Sequence, residues 1–183
     1  MKIAIRALVL IFAVALIFYF SQFAKESEFV RNFVQSYGYF GVFVISIISG
    51  FNLAVPIPAV AFLPLFIEFG MDFWTTIILI AIGVTLADSL AYFVGRVGKE
   101  IVVHSFEEKI LIKLGNIRER YPRAPMFILF FFASLVPFPN EVLVVPLGFL
   151  GYRPLKVIPV VFVGNLAFNA LYAAGLINIF QLL

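Results

Sequence analysis

Hydrophobic positions run in long blocks along this chain, and charges break them at only a few places. Residues 3–24 are apolar except for Arg6, and Lys25 to Arg31 form a short charged loop. Tyr37 to Gly70 is apolar but carries Pro56, Pro58 and Pro64. Phe73 to Gly95 is apolar without interruption and reaches the ~20 helical residues that cross a bilayer core. Arg96 to Arg123 is the one long polar stretch, mixed in charge, predicted to be helical with a break at Gly115-Asn116. Apolar character returns from Pro125 to Gly151, again with paired prolines, and from Pro154 to 176. The pattern predicts an all-α integral membrane protein of one domain, 1–183. It would hold an anchor helix over 3–24, a first repeat over 37–95, a loop over 96–123 and a second repeat over 124–176.

The repeat is visible residue by residue. Val55-Pro56-Ile57-Pro58 recurs 81 positions later as Val136-Pro137-Phe138-Pro139. The register then holds without a gap: Gly70 matches Gly151, Gly83 matches Gly164, and Asp88 matches Asn169. Duplicated apolar units broken by proline are characteristic of transporters, whose binding sites form where two such units meet.

Limb length decides how the broken units meet the membrane. The segment after the first prolines, Ala59 to Gly70, covers ~18 Å as a helix, against a hydrocarbon core of ~30 Å. Its counterpart, Asn140 to Gly151, is as short. Short paired limbs predict re-entrant hairpins with Pro56, Pro58, Pro137 and Pro139 at the tips. There the backbone groups that lose helix partners must be buried in protein or wetted. Re-entry places 11 of the 13 Lys and Arg residues on one side, against 9 if both limbs crossed, and the positive-inside rule prefers the former. Each repeat makes an odd number of crossings under either reading. The second copy is therefore expected to be inverted relative to the first, with the tips meeting near the midplane.

Composition agrees about the solvent. The chain is 63% hydrophobic and 13% charged, with 24 phenylalanines, more apolar surface than a soluble domain of this length can bury. It has no cysteine and a single histidine, His104 in the charged loop. Disulfides and Cys-based metal or redox chemistry are excluded, and no carboxylate cluster offers a metal site. The net charge of +3 reads as membrane orientation, since no aromatic-basic stripe for nucleic acid accompanies it. Gly95-Arg-Val-Gly98 is too short for a phosphate loop. Ser49 and Ser134 have no histidine partner for nucleophilic catalysis. No enzyme and no cofactor is predicted.

The polar residues inside the apolar blocks are the candidate chemistry. A carboxylate in hydrocarbon costs ~3 kcal/mol or more and needs a partner, a proton or water. Asp88 lies well inside the Phe73–Gly95 block, and Glu141 follows the second tip. Either could titrate, contact the polar part of a substrate, or serve packing; Asp88 could also pair with Arg96. Asn165 and Asn169 share a helix face, which suits interhelical hydrogen bonding as well as a pathway. Asn52 and Asn140 lie at the tips, where amides can satisfy carbonyls freed by the prolines. Gly83, Gly95, Gly98 and Gly164 are expected to permit close helix contact. Arg96 opens the polar stretch and could snorkel to headgroups. Glu68 and Asp72 mark the opposite interface.

Three stretches together resemble the DedA family, also called the SNARE-associated or VTT-domain membrane proteins. They are Val55-Pro-Ile-Pro58 ending at Gly70; Gly83-Val-Thr-Leu-Ala-Asp88 with Tyr92, Gly95-Arg96 and Gly98; and Pro137 to Gly148 with the Asn-bearing span after it. The resemblance covers roughly residues 37–175. It implies two opposed re-entrant hairpins and a role in moving lipids across membranes, with proton coupling through hairpin acids in bacterial members. Many bacterial members also carry acids in the first hairpin and two arginines in the second. The corresponding positions here are Val60 and Ile48, and Ser134 and Asn140. Serine and asparagine cannot replace the bidentate recognition of phosphate by arginine.

Three function classes follow. The first is a translocator of lipid or a lipid-linked anion, with membrane lipids and protons as its partners. The second is a small-solute or ion-coupled exporter on the same scaffold. The third is a non-transporting membrane scaffold. The expected place is a prokaryotic plasma (inner) membrane, with the N-terminus and the 96–123 loop in the cytoplasm.

Overall fold

Two long helices organise the chain. In the computed structural model, which describes residues 27–51, 58–97 and 105–182, Phe73–Val97 and Pro154–Leu182 form helices long and apolar enough to cross a membrane. The predicted anchor over 3–24, the tip residues Asn52 and Pro56, Gly98 and His104 lie outside the described residues. Numbering in chain order gives α1 (Glu28–Tyr37), α2 (Tyr39–Gly50), a 3-10 turn (Ala59–Phe62), α3 (Leu63–Glu68), α4 (Phe73–Val97), α5 (Ser105–Arg120), α6 (Ala124–Leu135), α7 (Glu141–Phe149) and α8 (Pro154–Leu182). No strand occurs among the described residues.

α4 is built inside out relative to a soluble helix. Ile78, Ile82, Leu86, Leu90, Phe93 and Val94 are exposed, while Thr76, Thr85 and Asp88 are buried. An exposed apolar stripe repeating every four residues suits hydrocarbon as the solvent, and the polar groups must then find partners inside.

Two apolar cores sit toward opposite ends of α4. The first joins Ile77, Ile80 and Val84 of α4 to Val42 and Ile45 of α2, to Ala59–Leu63 and Phe66 of the limb after the first prolines, and to Ala173 of α8. The second joins Tyr92 of α4 to Leu129 of α6, Leu143, Val144 and Leu147 of α7, and Val157 and Val161 of α8. α8 thus meets the end of α4 with its own start, so the two long helices run antiparallel.

The segments before the prolines each seat on the long helix of their own repeat. A Cβ on Gly83 would lie 2.6 Å from Ser46 Cβ of α2, and one on Gly164 would lie 2.6 Å from Ala133 Cβ of α6. Only glycine allows that approach at both sites. α2 starts level with the start of α4, because the Asp72 backbone N–H donates to the Tyr39 hydroxyl at 2.9 Å. It ends near mid-helix, where a Cβ on Gly50 would meet Ala87 Cβ at 2.6 Å. Arg31 of α1 closes the same end, 3.7 Å from Glu68 and over the Phe69 ring.

The 81-residue register extends to the hydrogen bonds. α3 ends with Phe69 N–H on Leu65, Gly70 N–H on Ile67 and Met71 N–H on Phe66. α7 ends with Leu150 N–H on Pro146, Gly151 N–H on Gly148 and Tyr152 N–H on Leu147. Gly70 and Gly151 take φ of 77° and 73°, the left-handed cap that glycine enters without a Cβ penalty.

Three expectations need correction. Glu28 to Arg31, expected within a loop, belong to α1, whose start is capped by the Ser27 hydroxyl accepting from Val30 N–H. No break occurs at Gly115-Asn116, because α5 continues unbroken from Ser105 to Arg120; there Leu114 is buried in the second core, and packing overrides the weak helix propensity of Gly and Asn. The last helix also continues beyond 176 to Leu182.

The closest crossing is α4 on α7. A Cβ on Gly148 would lie 2.2 Å from the Tyr92 carbonyl oxygen and 3.0 Å from Arg96 N, whereas one on Gly115 meets nothing nearer than 4.0 Å. Gly148→Ala is therefore expected to destabilise the fold by about 1–3 kcal/mol through overpacking. Gly115→Ala is expected to stabilise it by about 0.4–1 kcal/mol by restricting the unfolded chain. Thermal unfolding in detergent compares the two. At the start of α4, Asp72 Oδ2 accepts the Thr75 N–H and hydroxyl, each at 2.8 Å. These bonds, the backbone one foremost, hold its pKa below the usual 3.8. A depressed carboxyl stabilises the fold above its unfolded pKa and loses that contribution as pH falls through its folded pKa. The Tm gap between wild type and Asp72→Ala should thus be full at pH 7 and narrow on acidification below 3.8.

Candidate functional site

Between the two apolar cores lies one polar layer, and α4, α8 and the second tip each contribute to it. Asp88 of α4 is 1% exposed. Its Oδ2 accepts Asn165 Nδ2 from α8 at 2.8 Å and Asn140 Nδ2 from the second tip at 3.0 Å. The same two amides are tied together, since Asn140 Nδ2 also donates to Asn165 Oδ1 at 2.9 Å. Asn165 Nδ2 completes its set with Thr85 Oγ1 at 3.1 Å. Asn169, one turn on, donates to the Asn165 carbonyl at 2.7 Å. All five side chains are buried.

Local structure explains why each residue points inward. Asn140 precedes α7 at the N-cap position, where an asparagine usually accepts from its own helix. Its side chain makes no such bond and reaches Asp88 and Asn165 instead. The tip brings it there through Val136–Pro139, whose prolines cannot continue the α6 ladder and whose turn closes with Phe138 N–H on Val136 at 2.8 Å. Glu141 is the first residue of α7 and is buried. The positive end of the helix dipole favours a carboxylate there, and Glu141 stands close enough to Asp88 for the two carboxyls to interact electrostatically.

Not every polar atom of the layer finds a hydrogen-bond partner among the described residues. Asp88 Oδ1 is buried and has no hydrogen-bond partner among the described residues. A carboxyl oxygen at that depth must take a proton, a water or a donor group of a ligand. Asp88 also lines a narrow crevice, too tight for a water molecule, together with Ser89 and Tyr92 of α4, Val144 of α7, and Val157, Ile158 and Val161 of α8.

The structure gathers Asp88, Glu141, Asn140, Asn165 and Asn169, and leaves Arg96 out. Arg96 is exposed at the end of α4, and its guanidinium donates to the Tyr92 hydroxyl at 3.0 Å and the Tyr152 carbonyl at 3.4 Å. It does not pair with Asp88. Pro58 precedes the 3-10 turn of the first limb, outside the layer. Sequence reasoning missed Thr85, whose signal was its place one turn before Asp88. It also missed the Tyr92 hydroxyl, which donates to the Tyr152 carbonyl. Arg118 went unnoticed as well. It caps the Leu150 carbonyl at 2.7 Å and lies over the Tyr152 ring, and contact across 32 residues leaves no local trace. Burial raises the pKa of the Tyr152 hydroxyl, an effect the Arg118 charge opposes. Among the described residues no group of three metal-ligating side chains forms.

If the layer is one connected network, Asp88→Ala and Asn165→Ala should not be additive. Their double-mutant cycle is expected to give a coupling of about 0.6–1.7 kcal/mol, the range for interhelical hydrogen bonds in membrane proteins. Reversible unfolding in detergent measures it, and strict additivity would mean that the amide does not hold the carboxyl.

The geometry can be set beside known proteins. No curated protein and no solved structure matches the chain. A family profile, the VTT domain, matches residues 56–177. That range spans both α4 and α8, the second tip and the whole polar layer. With two apolar long helices, a buried polar layer and a domain match over most of its length, the chain belongs to the VTT-domain family, the DedA or SNARE-associated membrane proteins.

Proposed function

We propose that this membrane protein translocates lipid between leaflets, with Asp88 and Glu141 as the groups that carry a coupling proton. The observation that carries the reading is the orphan Asp88 Oδ1 in a layer where two long helices and a proline-broken tip meet. A buried acid with one committed and one open oxygen can gain and lose a proton without dismantling its amide partners.

The hairpin reading supports transport. The Tyr39–Asp72 bond keeps entry and exit of the first unit at one level, and Gly50 beside Ala87 puts its deepest described point near mid-helix. For the second unit, Asn140 meets Asp88 at mid-helix while Gly148 meets Tyr92 and Arg96 near the end of α4. The two units thus enter from opposite ends, as re-entrant hairpins of an inverted repeat would, and such a scaffold can open to each side in turn. Arg96, Lys113, Arg118, Arg120, Arg123, Arg153 and Lys156 are exposed at one end, and Glu68 and Asp72 at the other. By the positive-inside rule the basic end faces the cytoplasm of a prokaryotic plasma membrane.

A second reading, an ion-coupled exporter of a small solute, draws on the acceptor character of the layer. Asn140 and Asn165 have committed their amide donors, and no lysine or arginine bonds to the cluster among the described residues. Reconstitution in liposomes decides between them. A labelled phospholipid should lose protection from an external quencher with wild type, and at least about tenfold more slowly with Glu141→Gln or Asp88→Asn, the loss expected when a proton-transfer group is removed. Unchanged protection with wild type, together with flux of a soluble solute, would replace the first reading by the second.

A further inference from the structure

The polar layer lies at unequal chemical distance from the two ends of the protein. Toward the start of α4, the layer passes through Thr85 and then meets Val84, Ala81, Ile80 and Ile77, all buried in or beside the first core, while the buried Ser46 of α2 alongside donates to its own helix at the Val42 carbonyl, 2.7 Å away. The next polar side chain on that buried face, Thr76, has its hydroxyl committed to the Asp72 carbonyl at 2.7 Å. Toward the end of α4 the surroundings change. The crevice at Asp88 passes Ser89 and Tyr92 between α4 and α8. Beyond it stand the Tyr92 hydroxyl, the Tyr152 carbonyl and the exposed Arg96, bonded to one another. The Tyr152 hydroxyl, also buried without a partner among the described residues, lies in the same half. Buried polar atoms are seldom left without partners, and water is a common one.

From this arrangement we infer that Asp88 exchanges with solvent from the basic end, along the α4–α8 crevice, and that the Tyr92–Tyr152–Arg96 knot is the gate in that route. The inference rests on reading Asp88 as the proton-carrying group and adds the side and the path. In the described state the crevice is too narrow for a water molecule, so the path is closed. Opening needs the Tyr92 ring to swing away from the Tyr152 carbonyl. That motion breaks one buried hydrogen bond and frees Arg96, which is exposed and can rehydrate at little cost. The traveller is water with its protons; a lipid headgroup is too large for a path of this size. Tyr92 is a positioning residue, because it acts on access to Asp88 and does not touch it.

The absence of native cysteine makes the test direct. Ser89→Cys places a thiol on the crevice wall, and Lys156→Cys and Glu68→Cys report the basic and acidic ends. A small, charged, membrane-impermeant methanethiosulfonate is added to sealed vesicles of each orientation. Ser89→Cys should react from the side that modifies Lys156→Cys, slowly in wild type and roughly 3- to 10-fold faster with Tyr92→Phe, the shift expected from losing one buried hydrogen bond. Arg96→Gln, which leaves the Tyr92 ring and its bond to Tyr152 in place, should give a smaller acceleration in the same direction. Reaction from the side of Glu68→Cys would overturn the route. Equal rates in wild type and Tyr92→Phe would overturn the gate. Neither result depends on lipid movement in liposomes, so failure of the translocation reading would be seen separately.

Discussion

The structure depends on one carboxyl oxygen. Asp88 Oδ2 accepts amides from residues 52 and 77 positions away in sequence. Satisfying it requires α4, α8 and the tip before α7 to converge at one depth. The alternative, an acid at mid-membrane depth with no donor, costs several kcal/mol. Hydrophobic matching cannot supply this register, because lipid tails and leucine side chains are equivalent solvents for a helix face. The polar layer therefore fixes what the apolar cores leave free: how far each helix slides along its neighbours.

A duplicated scaffold carries this unduplicated site. The caps of α3 and α7 repeat bond for bond at a spacing of 81, and Gly83 and Gly164 each receive the limb before the prolines. Chemistry diverges at the layer. The counterpart of Asp88 is Asn169, whose amide turns to its own helix at Asn165. The counterpart of Gly148, at the tight α4 crossing, is the exposed Ile67. Glycine at one copy allows α7 against the α4 backbone, and the other copy has an exposed isoleucine at that position. Two similar halves thus acquire different roles through single side chains, since repeats share their backbone constraints but not their neighbours.

How much of this was legible in the sequence follows from the range of each interaction. The two long helices, the repeat register and the limb ends at Gly70 and Gly151 rest on local rules of hydropathy, proline and glycine, and were visible, whereas the charged residues at the start of α1 read as a loop. Asp88 and Glu141 stood out because a charge in an apolar block is costly wherever it points. Their partners were half legible. Asn140 and Asn165 were singled out as polar residues in apolar surroundings, but nothing local shows that the two amides bond each other and Asp88. Thr85 looked like an ordinary helix residue until α8 was in place. The unbroken α5 was misread for the opposite reason: a local signal at Gly115-Asn116 yields to the burial of Leu114. Arg118 and Tyr152 illustrate the limit, as capping across 32 residues is set only by the fold.

The distribution of donors narrows the chemistry that the layer can perform. Asn140 has turned its N–H groups onto Asp88 and Asn165, Asn165 has turned its own onto Asp88 and Thr85, and Ser134 donates to the Phe130 carbonyl at 2.7 Å. Among the described residues, the open groups of the layer include an acceptor, Asp88 Oδ1. An oxyanion placed there would face a carboxyl group without a compensating cation, and Coulomb repulsion is strongest where the dielectric is low. A phosphate, if this protein handles one, belongs at the basic end with Arg96, Arg153 and Lys156. Among the described residues, the layer itself suits species that donate. On the proposed reading, a proton carried by Asp88 and a headgroup met at the basic end would be coupled through the few residues that bridge the distance, Tyr92 foremost.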